Sequence, residues 1–351
     1  MRQKSRESSF YGIIVKKKVV ITFSVMICAL IFLFLWNLAT GSVSISFSKI
    51  VSIIFGDDSE LTRYRVIWNI RLPRIISAIL LGGALSVSGF LLQTFFGNPI
   101  AGPYVLGISS GAKLVVALTM IFLLGRGVVV SSLGMVVAAF FGSMISMGIV
   151  LLLSSKVRNM SVLVVCGIMV GYICSAITDF VVTFASDSNI VNLHNWSLGS
   201  FSGMNWSDVK IITIIVVSVT VLAFFLSKPM AAYQLGENYA RNMGVNIKIL
   251  RAVLILLSSL LSACVTAFAG PVSFVGIAVP HLVKTSFGTS KPLVLIPGCF
   301  VGGAIVTVLC DGIARSVFAP TELSISSVTA VLLVPVVVYM MLKKQGRKPN
   351  A

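Results

Sequence analysis

Ten apolar stretches, each roughly 15–26 residues long and almost free of charge, recur along this chain. They cover 19–40, 75–96, 104–124, 128–153, 161–185, 209–227, 250–269, 273–287, 292–311 and 325–342. A helix that crosses the hydrocarbon layer of a bilayer, about 30 Å thick, needs about 20 mostly apolar residues. Inside lipid the backbone must satisfy its own hydrogen bonds, and a helix does so within one segment. The pattern therefore predicts an all-α membrane protein of about ten transmembrane helices. The eighth stretch is short and is interrupted by Pro280. Composition agrees: 57% of the 351 residues are hydrophobic and 11% are charged, against about 25% charged in soluble domains.

The polar segments between the stretches give the orientation. Counted from a cytoplasmic N-terminus, the inner segments hold 18 basic residues and two acids, Glu7 and Glu237. The outer segments hold 8 basic residues and 7 acids. By the positive-inside rule both termini are expected in the cytoplasm. Residues 1–18 then form a cytoplasmic segment, 19–342 a ten-helix domain with a polar inner loop at 228–250, and 343–351 a cytoplasmic tail. The run after Lys16, Lys17 and Lys18 is longer than the core of a secretory signal, about 7–15 residues, so it reads as an uncleaved first span. Five spans per half permit, without demonstrating, an inverted repeat around a midplane pathway.

Several function classes fall away. The net charge of +17 belongs to inner loops, and no basic run is interleaved with aromatics as nucleic-acid binding would ask. The six cysteines form no C-x-x-C pair, which argues against zinc or a redox couple and for small buried hydrophobes. Two histidines and no clustered thiols make no metal or cofactor site. Gly107-Ile108-Ser109-Ser110-Gly111 fits a nucleophile-elbow pattern, but that motif needs a strand-to-helix turn and Asp and His partners. An ion-coupled secondary transporter stays open as the alternative from another class; it would need coupling carboxylates inside spans, where the chain offers Asp179.

A series of blocks is more specific. Arg71-Leu72-Pro73-Arg74 is followed by Gly82-Gly83-Ala84-Leu85, Ser88-Gly89, Gln93, Asn98-Pro99 and Leu106-Gly107. Trp196-Ser197-Leu198-Gly199-Ser200 comes next, then Leu235-Gly236-Glu237 through Arg241 with Gly244-Val245-Asn246. Gly270-Pro271, Phe274-Val275-Gly276, Pro280-His281, Asp311 through Arg315, Glu322-Leu323 and Val328-Thr329-Ala330 close the set. In this order, over about residues 40–342, they resemble the iron-siderophore, heme and cobalamin permease family of ABC importers, with its cobalamin-permease-like type II fold. The resemblance implies a multi-pass permease subunit in a bacterial cell membrane, without an ATPase site of its own. It implies a second permease subunit, identical or not, two cytoplasmic ABC ATPase subunits and an extracytoplasmic substrate-binding protein. Iron(III)-siderophore is the expected cargo, with heme and cobalamin open.

The chain has no G-x-x-x-x-G-K-[ST] loop to hold ATP phosphates. Within the inner loop, Glu237-x-x-Ala240-Arg241-x-x-Gly244 resembles the coupling motif of ABC importers. Glu237 to Met243 can form a short helix that Gly244 ends in a left-handed conformation, with small Ala240 allowing close approach to the motor. The alternative is an ordinary amphipathic connector. Arg71, Arg74 and Arg315 lie outside against the charge bias. The resemblance implies that they dock the glutamates of the binding protein, work suited to the planar guanidinium fork. From spacing alone, Arg315 pairs equally well with Asp311 four residues earlier. Lys113 and Asp179 are the charges within spans, where charge is costly, and could pair along the pathway. Asn159 and Ser161 fall where the family has its inner gate.

Overall fold

The computed structural model describes residues 2–41, 45–54, 61–122, 132–157 and 160–345, and its regular elements are helices. In chain order they are α1 (Arg2–Ala39), α2 (Phe47–Ile54) and α3 (Leu61–Arg65), which runs through a π-helical turn (Val66–Arg71) into α4 (Leu72–Phe96). A 3₁₀ turn (Pro103–Leu106) leads to α5 (Ile108–Phe122), α6 (Ser132–Lys156), α7 (Met160–Val182) and α8 (Asp187–Leu198). Then come α9 (Trp206–Phe225), α10 (Ser227–Gln234), α11 (Glu237–Asn242), α12 (Ile247–Ala269), α13 (Val275–Phe287), α14 (Pro292–Ser316) and α15 (Ile325–Gln345).

Each of the ten apolar stretches falls on a helix. Seven helical segments are long and apolar enough to cross a membrane, and α5 and α15 add shorter apolar helices. The eighth stretch, α13, has 13 residues, about 20 Å at 1.5 Å per residue, too short to span. It begins beside the middle of α4, where Gly276 lies against Leu85 and Gly89, and its other end reaches the basic end of the bundle with Lys284. The chain turns back before it through Gly270 and Phe274, whose φ of 64° is the only positive value at a non-glycine among the described residues. Ser200 N–H donates to the Ala269 carbonyl and Ser326 Oγ to that of Pro271. Side chains and neighbouring turns thus satisfy backbone that departs from a helix, as lipid surroundings require.

The central element is α4, buried along almost its whole length. It packs against α9, α12, α13 and α14. Small residues set these crossings, because without a hydrophobic drive between helices it is close backbone approach that holds them. A Cβ on Gly89 would sit 1.7 Å from the Gly276 carbonyl, and one on Gly303 2.2 Å from that of Gly82. Inside this packing, Ser88 Oγ lies 2.8 Å from Ser258 Oγ and 2.6 Å from Ser262 Oγ. The spare hydroxyls are thereby paired with one another. Short helices α2, α3, α8, α10 and α11 lie between the long apolar stretches.

Candidate functional site

At the end opposite the basic loops, three helix termini meet. The C-terminus of α1, the N-terminus of α4 and the C-terminus of α14 bring Asn37, Arg71, Arg74, Asp311 and Arg315 together. Arg74 is held in the first turn of α4, after Pro73 fixes the helix start. Its Nε donates to both Asp311 oxygens at 3.0 and 3.1 Å, and its Nη2 to Oδ1 at 2.9 Å. Its Nη1 donates to Glu322 Oε1 at 2.8 Å. Arg315 Nε lies 3.4 Å from Asp311 Oδ2, close in charge but without hydrogen-bond alignment. Arg315 Nη2 donates to the Asn37 carbonyl at 3.3 Å and also to Asn37 Oδ1. Arg71 Nη1 donates to the Leu38 carbonyl. The last carbonyls of α1 have no partner within that helix, so two guanidiniums cap them where the helix dipole favours cations.

The resemblance implied that these three arginines dock the binding protein's glutamates; within this subunit their side chains are engaged instead with neighbouring helices. Arg71, Arg74 and Arg315 are all buried, between 3 and 8% exposed, and are turned inward to tie α1, α4 and α14. The alternative weighed from spacing, Arg315 with Asp311, is present. The accessible member of the cluster is Glu322, 41% exposed against 2% for Asp311. Asn37, fully buried and donating to the Leu33 and Val308 carbonyls at 3.0 and 3.1 Å, gave no sequence signal. It is an isolated amide at the end of an apolar run.

At the basic end, the segment after α9 folds into α10 and α11. Glu237 opens α11, and Gly244, at φ 81°, closes it with its N–H on the Arg241 carbonyl and Val245 N–H on that of Ala240. The predicted short helix and its left-handed stop are both present. Ala240 differs from expectation: it is fully buried in this subunit. It seats α11 on its own bundle and offers no surface to a motor. The exposed ridge consists of Leu235, Tyr239 and Met243, at 71, 49 and 63%. Tyr239 and Met243, four residues apart, share one side of α11, with exposed Arg241 on the same short helix; Leu235 precedes it across the turn at Gly236.

Glu237 is ion-paired with Arg251 near the start of α12. Arg251 Nε donates to Tyr233 Oη at 3.3 Å, and its guanidinium lies 5.9 Å from the Tyr233 ring centre. Tyr233 Oη in turn donates to the Phe95 carbonyl at 3.3 Å. A cavity of 610 Å³ opens beside this chain of contacts, lined among others by Gln93, Phe96, Tyr233, Glu237, His281 and Lys284. Sequence reasoning missed Tyr233 and Arg251, whose relation to Glu237 exists only once α10 and α12 converge.

The four candidate pathway residues divide. Asn159 lies outside the described residues. Ser161 and Asp179 are both exposed on α7. They are 18 residues apart, about five helical turns, and therefore share one face. Tyr172 and Met169 stand between them, also exposed. Asp179 lies within a turn of the end of α7 at Val182, so its expected mid-depth position is corrected. Lys113 is half-buried on α5. The contacts of Gly107 with Gly171 and of Ser110 with Ser175 align the two helices in parallel. This brings Lys113 level with Asp179 to within about a turn. No ion pair joins them within the described residues. The expected pair is absent because Asp179 faces out of the subunit.

Comparison with known proteins matches residues 29–343 to the model of the FecCD transport family. The vitamin B12 import system permease protein BtuC of Klebsiella pneumoniae subsp. pneumoniae is 35% identical over 282 residues, 80% of this chain and 83% of that protein. The hemin transport system permease protein HmuU of Yersinia pestis is 30% identical over 324 residues, 92% of this chain and 96% of that one. A metal-chelate type ABC transporter solved in an inward-facing conformation superposes with a TM-score of 0.81 at 27% identity, covering 92% of this chain and 99% of its own. With the apolar helices, the glycine-packed centre and the exposed loop helix in place, the chain belongs to the FecCD transport family: it is a membrane permease subunit of a type II ABC importer.

Proposed function

We propose that this subunit conducts an iron(III)-siderophore complex into the cytoplasm, with two cytoplasmic ATPases, a second permease subunit and an extracytoplasmic binding protein. The observation that carries the motor assignment is the set of exposed apolar side chains flanking and along α11: Leu235, Tyr239 and Met243. It is an apolar surface at the basic end, built beside charged Glu237 and Arg241. Exposed apolar patches rimmed by charge mark protein contacts. In this reading Glu237, Arg241 and Gly244 shape the coupling helix, and Ala240 fixes its seat. The exposed face of α7, from Ser161 to Asp179, lines the pathway against the second permease subunit, with Lys113 behind it. The cluster of Arg71, Arg74 and Arg315 underlies the docking face for the binding protein, and Glu322 is its accessible edge.

The likeness to a metal-chelate type transporter supports a bulky metal complex as cargo, and a ferric siderophore fits that class. The relatives BtuC and HmuU, permeases for vitamin B12 and hemin, make those two cargoes the second readings. The experiment identifies the ligand held by the cognate binding protein. It then measures uptake of that ligand into vesicles containing this chain and its ATPase. Uptake that needs ATP and stops with vanadate is expected. Uptake driven by an ion gradient without the ATPase would make the chain a secondary transporter instead. A receptor that binds heme or cobalamin, and no ferric siderophore, would replace the cargo.

A further inference from the structure

We propose that Tyr233 and Arg251 form a transmission clamp joining the motor-facing helix α11 to the C-terminus of α4. This inference rests on the reading of α11 as the ATPase contact and assigns it two positioning residues. The last carbonyls of α4 have no partner inside the helix. One of them, Phe95, accepts from Tyr233 Oη at 3.3 Å. Next to it, Gln234 Nε2 donates to Thr94 Oγ1 at 3.4 Å. One residue further back, Gln93 Nε2 donates to the Gly276 and Ile277 carbonyls at 3.3 and 3.1 Å. The last turn of α4 is thus gripped from α10 on one side and from the head of α13 on the other.

Arg251 connects this grip to α11. One guanidinium pairs with Glu237, donates to Tyr233 Oη at 3.3 Å and lies over the Tyr233 ring. These contacts act through geometry, because a planar fork fixes the angle between its acceptors where an ammonium would not. The cavity of 610 Å³ beside the clamp leaves room for movement of α10–α11 relative to α13, so side chains carry the force there in place of close packing. At its far end the same helix, 25 residues long and about 37 Å by the helical rise, carries Arg74. Arg74 joins Asp311 and Glu322 beneath the opposite face. A displacement of α11 therefore reaches that face through one rigid, buried element. A rigid element with a defined contact at each end is one means by which energetic coupling is carried between distant sites.

The test uses the whole complex in lipid nanodiscs: this chain with its partner permease, ATPase and cognate binding protein. The rate of ATP hydrolysis is measured with and without ligand-free binding protein, which needs no knowledge of the cargo. Tyr233→Phe removes the hydroxyl and keeps the ring. Arg251→Lys keeps the charge and loses the fork. Both are expected to retain the ATPase on co-purification and to keep the hydrolysis rate seen without binding protein. The change in rate that the binding protein causes should fall about fivefold or more, the low end of typical coupling. The double variant should be no worse than the weaker single one, since the two residues act in series. Unchanged stimulation in both variants overturns the clamp, as does a loss confined to ATPase binding or thermal stability. Should Tyr233→Phe fail to assemble, Arg251→Lys decides alone, because it leaves the α4 cap intact. If wild-type chain does not retain an ATPase at all, the motor contact itself is wrong and the clamp falls with it.

Discussion

Replacing Asp311 by Asn tests the buried arginine cluster most directly. The substitution keeps the volume and removes the carboxylate that holds Arg74 through three hydrogen bonds between 2.9 and 3.1 Å and faces Arg315 at 3.4 Å. Asp311 is 2% exposed, so water cannot replace it; Arg74 is left with Glu322 alone and Arg315 loses its nearest carboxylate. Breaking a buried pair in this way costs about 3–5 kcal/mol. Glu322→Gln removes the charge from a slightly shorter contact, 2.8 Å, but its carboxylate is 41% exposed. Solvent screening limits that loss to about 0–1 kcal/mol. The difference, about 3 kcal/mol, is a factor of roughly one hundred in the folded-to-unfolded ratio.

Thermal unfolding can be followed with a thiol-reactive dye. Cys264, Cys299 and Cys310 are fully buried and react on unfolding, and exposed Cys28 is first changed to Ser to lower the background. Asp311→Asn should unfold far below the wild type, and Glu322→Gln close to it. Arg74→Met combined with Asp311→Leu should recover part of the loss, since it removes one buried guanidinium together with the carboxylate while Arg315 still lacks its neighbour. Equal midpoints for Asp311→Asn and Glu322→Gln would refute the reasoning, because burial would then have no bearing on these contacts.

Four further outcomes are expected. Gly89→Ala drives a Cβ to 1.7 Å from the Gly276 carbonyl and should cost at least about 1–3 kcal/mol of stability. Gly148→Ala, whose Cβ meets nothing within 4 Å, should stabilise by about 0.5–1 kcal/mol; the same dye assay ranks both. Gly244→Pro imposes a φ near −65° where the chain holds 81° and deletes the N–H that closes α11. Uptake should vanish while the amount of protein in the membrane, read by immunoblot, stays the same. Lys113→Ala and Asp179→Ala should reduce uptake additively, because the two groups do not touch within the subunit. Rescue in the double variant would instead put them in contact across two subunits.

The apolar run lengths already carried the bundle, since hydrocarbon leaves a chain no option but helices at those places. The same runs carried the position of α13, whose shortness and Pro280 stand in the sequence. Gly244 ending a short inner helix was equally legible, because only a residue without a Cβ takes that φ at no cost. The direction of the arginines was not. Arg71, Arg74 and Arg315 read as surface charge until α1, α4 and α14 converge and Asn37, Asp311 and two unpaired carbonyls surround them. Ala240 and the Tyr233–Arg251–Glu237 contacts have the same origin. Local pattern decides where a helix forms, but which of its faces is buried depends on neighbours brought from up to 278 residues away, as between Asn37 and Arg315. Chain periodicity encodes no such distance.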